Sequence, residues 1–342
     1  MNAAQARLPP AVHAWAARIA SLSAELPDLT GTDLPLRRAA ERSLSDALAR
    51  EFTAEAPTRV HIATETVGTP IGPRRVRRYR PDATEGTMPT QLFLHGGGFV
   101  SGSIDELVND RLLAARAADA GIQVISLDYR LAPEHPYPAA VEDAIAVLDA
   151  LRTHPGRYGV DASRIGIGGA SAGGGIAAST VLHLRERGDH ALVHQALEVP
   201  ALALTPFGAS AVEYARGFGL DGYERLAALY LGPDGTTTPF AAPLDAADLT
   251  GLPPTLIQVA EHDPLRDAAL AYGARLIAAG VPTITEIGRG HVHGSPGLTA
   301  TFEPARTWQH RVAAALRDVY HAPGAPGAPG APGAPGAAAR PA

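Results

Sequence analysis

The sharpest chemical signal in the chain is Gly169-Ala170-Ser171-Ala172-Gly173, which follows a short apolar run and precedes an Ala-rich stretch. A turn that passes directly from strand to helix strains its central residue and brings neighbouring backbone close, so small residues must flank it. Gly169 and Gly173 meet that demand. Such a turn lifts the Ser171 hydroxyl above a sheet at a helix N-terminus, whose partial positive charge favours a developing oxyanion. The competing reading of the same segment is a glycine-rich phosphate turn. A second signal is His95-Gly96-Gly97-Gly98-Phe99, at the end of the run Gln91 to Leu94. Consecutive glycines expose consecutive N–H groups, and with the N–H of Ala172 they can surround one oxygen as an oxyanion hole.

A serine hydroxyl is a poor nucleophile at neutral pH and needs a base that is itself oriented by a third group. Candidates lie downstream in Glu261-His262-Asp263-Pro264-Leu265-Arg266-Asp267 and in His291-Val292-His293-Gly294. The order serine, acid, histidine is that of hydrolases built on a nucleophile elbow. Glu261 and Asp267 compete with Asp263, which is favoured as lying just past the run Thr255 to Ala260, whereas Asp267 falls in the helix that follows. His291 and His293 both remain eligible. A metal site on this pair lacks a third ligand nearby in sequence.

The elements that must position these residues read as α/β. Short apolar runs at Gln91–Leu94, Gln123–Leu127, Arg164–Gly168, Ala196–Val199, Thr255–Ala260 and Thr283–Ile287 alternate with helical segments at Ala139–Leu151, Ala172–Arg187, Arg266–Ala279 and Pro304–Tyr320. This is the pattern of parallel strands joined by crossover helices. The serine, acid and histidine then all fall at carboxyl ends of strands, where ligand crevices of such sheets form. Two regions interrupt the alternation: residues 1–50, helical with no preceding strand, and an insertion at about 205–248 holding Gly217, Gly219, Gly222, Gly232 and Gly235. Both read as a cap over a core spanning 51–321. From Ala322 to Gly336 the chain repeats Ala-Pro-Gly five times, and residues 322–342 are expected to be a disordered tail.

Composition narrows the chemistry. In 342 residues, 46% are hydrophobic and 19% charged, enough for one sizeable core. The net charge of −6 lacks the basic signature of nucleic-acid binding. Cysteine is absent and all 29 basic residues are arginine, which excludes disulfides, thiolate metal sites, a cysteine nucleophile, a Schiff-base lysine and a Ser-Lys dyad. No run approaches membrane-spanning length and the N-terminus lacks a secretory h-region, so the expected location is cytoplasmic, away from membranes. His183, His190 and His194 read as ordinary surface or satisfied residues.

These motifs resemble the hormone-sensitive-lipase-like branch of the α/β-hydrolases, also called bacterial esterase family IV, over about Arg75 to Tyr320. The family's His-Gly-Gly-Gly-Phe stands at His95 to Phe99, and its Asp-Tyr-Arg-Leu-Ala-Pro-Glu at Asp128 to Glu134. The elbow matches at Gly169 to Gly174, with Ala170 where the family often has aspartate. The acid motif matches from Asp263, with Ala268 where a glutamate is usual, a departure expected to loosen a contact to the histidine loop. The resemblance places the base on His293, 30 residues beyond Asp263, and makes His291 a wall or solvent-exposed neighbour. It makes Gly97, Gly98 and Ala172 the oxyanion donors, with His95, Gly96, Asp128, Tyr129 and Arg130 supporting their loop. It implies an α/β-hydrolase fold with a mostly parallel sheet and a helical cap, no cofactor or metal, a homodimer, and hydrolysis of short to medium acyl esters. The same triad chemistry also serves amides, thioesters and carbonates. Plant hormone receptors of this branch lack the catalytic histidine, and His293 argues for an enzyme.

Overall fold

The computed structural model describes residues 5–321 except 83, 219, 234, 236 and 237. The Ala-Pro-Gly repeats and Gly219 lie outside the described residues. Eight strands form one sheet: β1 (Val60–Val67), β2 (Arg74–Pro81), β3 (Met88–Leu94), β4 (Gln123–Leu127), β5 (Val160–Ala170), β6 (Gln195–Glu198), β7 (Thr255–His262) and β8 (Thr283–Val292). Their spatial order is β1-β2-β4-β3-β5-β6-β7-β8. The pairs β1/β2 and β2/β4 are antiparallel and every other pair is parallel.

Every residue of β3 and β4 is buried, because helices cover both faces of the sheet; such strands read as unbroken apolar runs and are easily found. The antiparallel pair β1–β2 has no such signature. Its arginines are drawn into ion pairs, Arg77 with Asp110 at 2.6 Å and Arg74 with Asp143 at 2.6 Å. Only Val76 and Tyr79 of β2 turn inward, so a charged run conceals a strand that lies between β1 and β4. The structure also extends β8 to Val292, five residues past the apolar run that marks it in the sequence.

Among the described residues ten α-helices complete the fold: α1 (Pro10–Ala24), α2 (Leu34–Phe52), α3 (Leu107–Ala120), α4 (Ala139–Thr153), α5 (Pro155–Tyr158), α6 (Ala172–Glu186), α7 (Gly208–Glu213), α8 (Tyr223–Leu231), α9 (Arg266–Ala278) and α10 (Glu303–His321). One buried cluster packs α4, α6 and α9 on one face of the sheet, and a second packs α3 and α10 on the other. The helices flank the sheet on both sides, and α6 lies deepest, buried without a break from Ala172 to Leu182. A third cluster joins Leu8 and Val12 from the N-terminal segment, Tyr214 and Phe218 from the β6–β7 connection, and Val292 and Leu298 around the turn after β8. Both interrupting regions therefore meet above the carboxyl end of the sheet.

Candidate active site

Ser171 stands between β5 and α6 with φ 55° and ψ −120°, a conformation that costs a non-glycine residue about 1–3 kcal/mol. The surroundings hold it there. The Ser171 N–H donates to the Glu198 carbonyl at 2.9 Å, and its own carbonyl accepts from Gly175 and Ala201 at 3.1 and 3.0 Å. Gly173 is obligatory for space: a Cβ on it would lie 2.0 Å from the Leu94 carbonyl oxygen.

His293 Nε2 lies 2.8 Å from Ser171 Oγ, and His293 Nδ1 lies 2.8 Å from Asp263 Oδ2. A carboxylate only accepts, so Nδ1 carries the proton and Nε2 turns its lone pair to the serine hydroxyl. Asp263 is 1% exposed, and its other oxygen accepts the Leu265 N–H at 2.8 Å. The His293 N–H donates to the Phe218 carbonyl at 3.3 Å, so the β6–β7 connection also fixes the histidine loop. The rival acids have other partners. Glu261 accepts the Gly290 N–H at 2.8 Å and pairs with Arg289 at 2.8 Å, tying down the turn before His293. Asp267 lies in the first turn of α9 and accepts the Ser210 N–H at 2.9 Å, anchoring α7.

His291 is a correction to the sequence reading, being neither a wall of the serine cleft nor exposed. It is buried with Nδ1 2.8 Å from Ser295 Oγ, between the rings of Phe302 and Trp308. Burial pushes its pKa down to about 4. His194 is likewise buried rather than a surface residue, its pKa pushed down to about 4 by burial alone. The helix before it ends at Glu186, and the chain from there dives under the sheet into β6.

The glycine loop is held from below. His95 is buried and stacked on Tyr129 with ring centroids 4.3 Å apart, and the Tyr129 hydroxyl donates to the His95 carbonyl at 2.8 Å. Burial lowers the His95 pKa, which leaves the ring neutral, with Nδ1 2.8 Å from the Gly96 carbonyl. Gly97 has φ 128°, and a Cβ there would fall 2.1 Å from the Ser101 carbonyl oxygen. Gly96 lies close to Ser171, a Cβ on it falling 3.5 Å from the serine Cβ, which sets Gly97 and Gly98 beside Ser171. Ala172 opens α6, so its N–H has no intrahelical acceptor. Asp128 pairs with Arg75 at 2.8 Å, and Arg130 with Asp143 at 2.9 Å. These two pin the segment after β4, whereas Tyr129 bonds the loop.

A cleft of about 390 Å³ opens onto Ser171, His293 and Gly96 to Gly98, a size suited to a small molecule. Its lining includes Arg116 and Glu198, which no motif marks; a charged residue inside the apolar run Ala196–Val199 was the available signal. Among the described residues, no group of three or more His, Cys, Asp or Glu side chains could hold a metal ion. No helix among them is long and apolar enough to cross a membrane.

Comparison with known proteins agrees with this geometry. Residues 91–296 match a family described by its alpha/beta hydrolase fold. The chain is 39% identical to esterase LipI of Mycobacterium tuberculosis over 74% of its own length and 80% of that protein, and 37% identical to carboxylesterase NlhH of the same organism over 72% and 79%. A hyperthermophilic esterase from Pyrobaculum calidifontis superimposes with a TM-score of 0.78 at 34% identity, covering 84% of this chain and 94% of that one. A strained serine between β5 and α6, a glycine loop beside it and a sequence kinship with esterases that spans most of both chains lead to one placement: the chain belongs to the hormone-sensitive-lipase-like branch of the α/β-hydrolases and is a carboxylic ester hydrolase.

Proposed function

We propose that Ser171, His293 and Asp263 are the catalytic triad of this esterase and that it works through an acyl-enzyme on short to medium acyl esters. The observation that carries the reading is the unbroken chain from Ser171 Oγ through His293 to Asp263, each link 2.8 Å, at the base of the cleft. Ser171 Oγ attacks the ester carbonyl as His293 Nε2 takes its proton. The oxyanion is met by the N–H groups of Gly97, Gly98 and Ala172, with the N-terminus of α6 behind them. His293 returns the proton to the leaving alcohol, and water releases the acid by the same steps. Asp263 holds the imidazole in the required tautomer.

The test is pre-steady-state hydrolysis of p-nitrophenyl acetate and butyrate. The parent gives a burst of p-nitrophenol; Ser171→Ala and His293→Ala abolish it and lower kcat by about 10⁴ or more. His291→Ala keeps the burst. Loss in His291→Ala with retention in His293→Ala would move the base to His291, and a p-nitrophenyl ester optimum at palmitate would refute the chain-length preference.

A further inference from the structure

The cleft beside Ser171 has a deep arm. Asn109, Leu112, Leu113 and Arg116 of α3 all line it, and this i, i+3, i+4, i+7 spacing is one face of a helix. The N-terminus of α3 lies at the carboxyl end of the sheet, where the strand β3 hands the chain over. The stripe starts at the level of the serine and runs along α3, and from its end the Arg116 side chain reaches Glu198 at the carboxyl end of β6. Leu112 and Leu113, with Phe93 of β3 opposite, make its middle apolar.

Its end is not apolar. Arg116 Nη2 lies 2.6 Å from Glu198 Oε1, and both residues are 4% exposed. Glu198 Oε2 accepts the Trp308 indole N–H at 3.0 Å, and the Arg116 guanidinium sits 5.1 Å from the centre of the Phe93 ring. Glu198 pairs in register with Ala170, the residue before the nucleophile, so it stands beside the reacting serine one strand across. A hydrocarbon chain that reached this pair would have to separate two buried charges and strand their hydrogen bonds, which nothing in the chain's chemistry replaces.

On the reading of Ser171 as nucleophile, we propose that the Arg116–Glu198 ion pair is the floor of a substrate arm and limits the ester substituent held there to a short apolar chain. The two residues are specificity determinants, apart from the proton-transfer groups. Substituents that stop among Leu112, Leu113 and Phe93 are accepted, and longer ones are refused by the charged floor.

A buried ion pair can be replaced as a whole by apolar residues without loss of fold, which makes the floor removable. The experiment measures kcat/KM for Arg116→Leu/Glu198→Leu and for the closer-fitting Arg116→Met/Glu198→Gln across two series, p-nitrophenyl acetate to laurate and ethyl to octyl acetate. Fluorophosphonate labelling of Ser171 verifies that each variant is folded and reactive. The expected result is a cut-off moved to longer chains in one series, with a gain of about tenfold or more at the first length the parent refuses and little change for the shortest ester. A shift in the acyl series assigns the arm to the acid portion, and a shift in the alkyl series assigns it to the alcohol. Leu112→Phe, which narrows the arm above an intact pair, moves the same cut-off toward the shortest ester. Labelled variants with parental profiles in both series overturn the proposal. A parent that turns over no ester in either series would instead overturn the reading of the triad on which it rests.

Discussion

The two sides of the cleft are held in place by different means. On the sheet side, backbone is set against backbone: the elbow is pressed on the Leu94 carbonyl, the glycine loop is folded on Ser101, and the Ser171 amide is bonded to β6. On the cap side, side chains reach across: Asp267 to the Ser210 amide, the Tyr223 hydroxyl to the Ala203 carbonyl, Gln5 to the Gly217 carbonyl. Backbone packing tolerates almost no change of residue, whereas side-chain tethers can be exchanged for others. The sheet side is thus the part that admits least change of sequence, and the side built by the N-terminal helices and the β6–β7 connection is the part that admits more.

The strongest way to break this contrast is at Gly173. Gly173→Ala puts a methyl group inside contact distance of the Leu94 carbonyl, so the elbow must shift. We expect kcat to fall by about 10²-fold or more even where the protein still melts cooperatively, because misplacing the nucleophile by about 1 Å costs that much. Steady-state kinetics beside a circular-dichroism melt checks it, and near-parental turnover would show that the sheet side is as yielding as the cap.

Asp267→Ala probes the other side with a smaller effect. It leaves the Ser210 amide without its carboxylate and frees α7, at a cost of about 1–2 kcal/mol in that contact. The expected outcome is a KM for p-nitrophenyl butyrate raised by about tenfold with kcat nearly unchanged. A drop in kcat with constant KM would mean that the anchor acts on the triad.

The smallest effect concerns acid. His194 and His291 are both neutral in the fold, with pKa values of about 4, against about 6.5 in an unfolded chain. Lowered values favour the deprotonated form, so their contribution to stability is complete above pH 6.5 and is lost as pH falls toward 4. The melting temperature should decline across that window, and His194→Gln should flatten the decline. An unchanged slope in that variant would assign the acid sensitivity elsewhere.

The same contrast governs what could be read in advance. Ser171, the glycine loop and the central strands were legible because fully covered strands are apolar throughout, and an elbow admits only small residues. Asp263 was separable from Asp267 by its distance past the strand, but the choice of His293 over His291 needed the family resemblance. The edge pair β1–β2 was hidden because the arginines of β2 are matched by acids, Glu65 across the strand pair in β1 and Asp110 and Asp143 on α3 and α4. His194 looked like surface because it follows a helix end, and only the path of the chain into β6 buries it. Glu261 was weighed as an acid, while its partners Arg289 and Gly290 come 28 and 29 residues later with no spacing to announce them. The floor pair joins residues 82 apart, a relation that only the packing of α3 against the sheet creates.

The Trp15 indole lies against Gly294, so close that a Cβ there would fall 2.6 Å from the ring. In chain order α1 comes well before the turn it covers. The indole first has Leu8, Val12 and Phe52 of its own cluster to pack with, and it meets the turn only afterwards. The turn that carries Ser171 is made well before the histidine loop that closes against it. On the triad proposed above, hydrolytic competence waits until the turn after β8 has closed under α1.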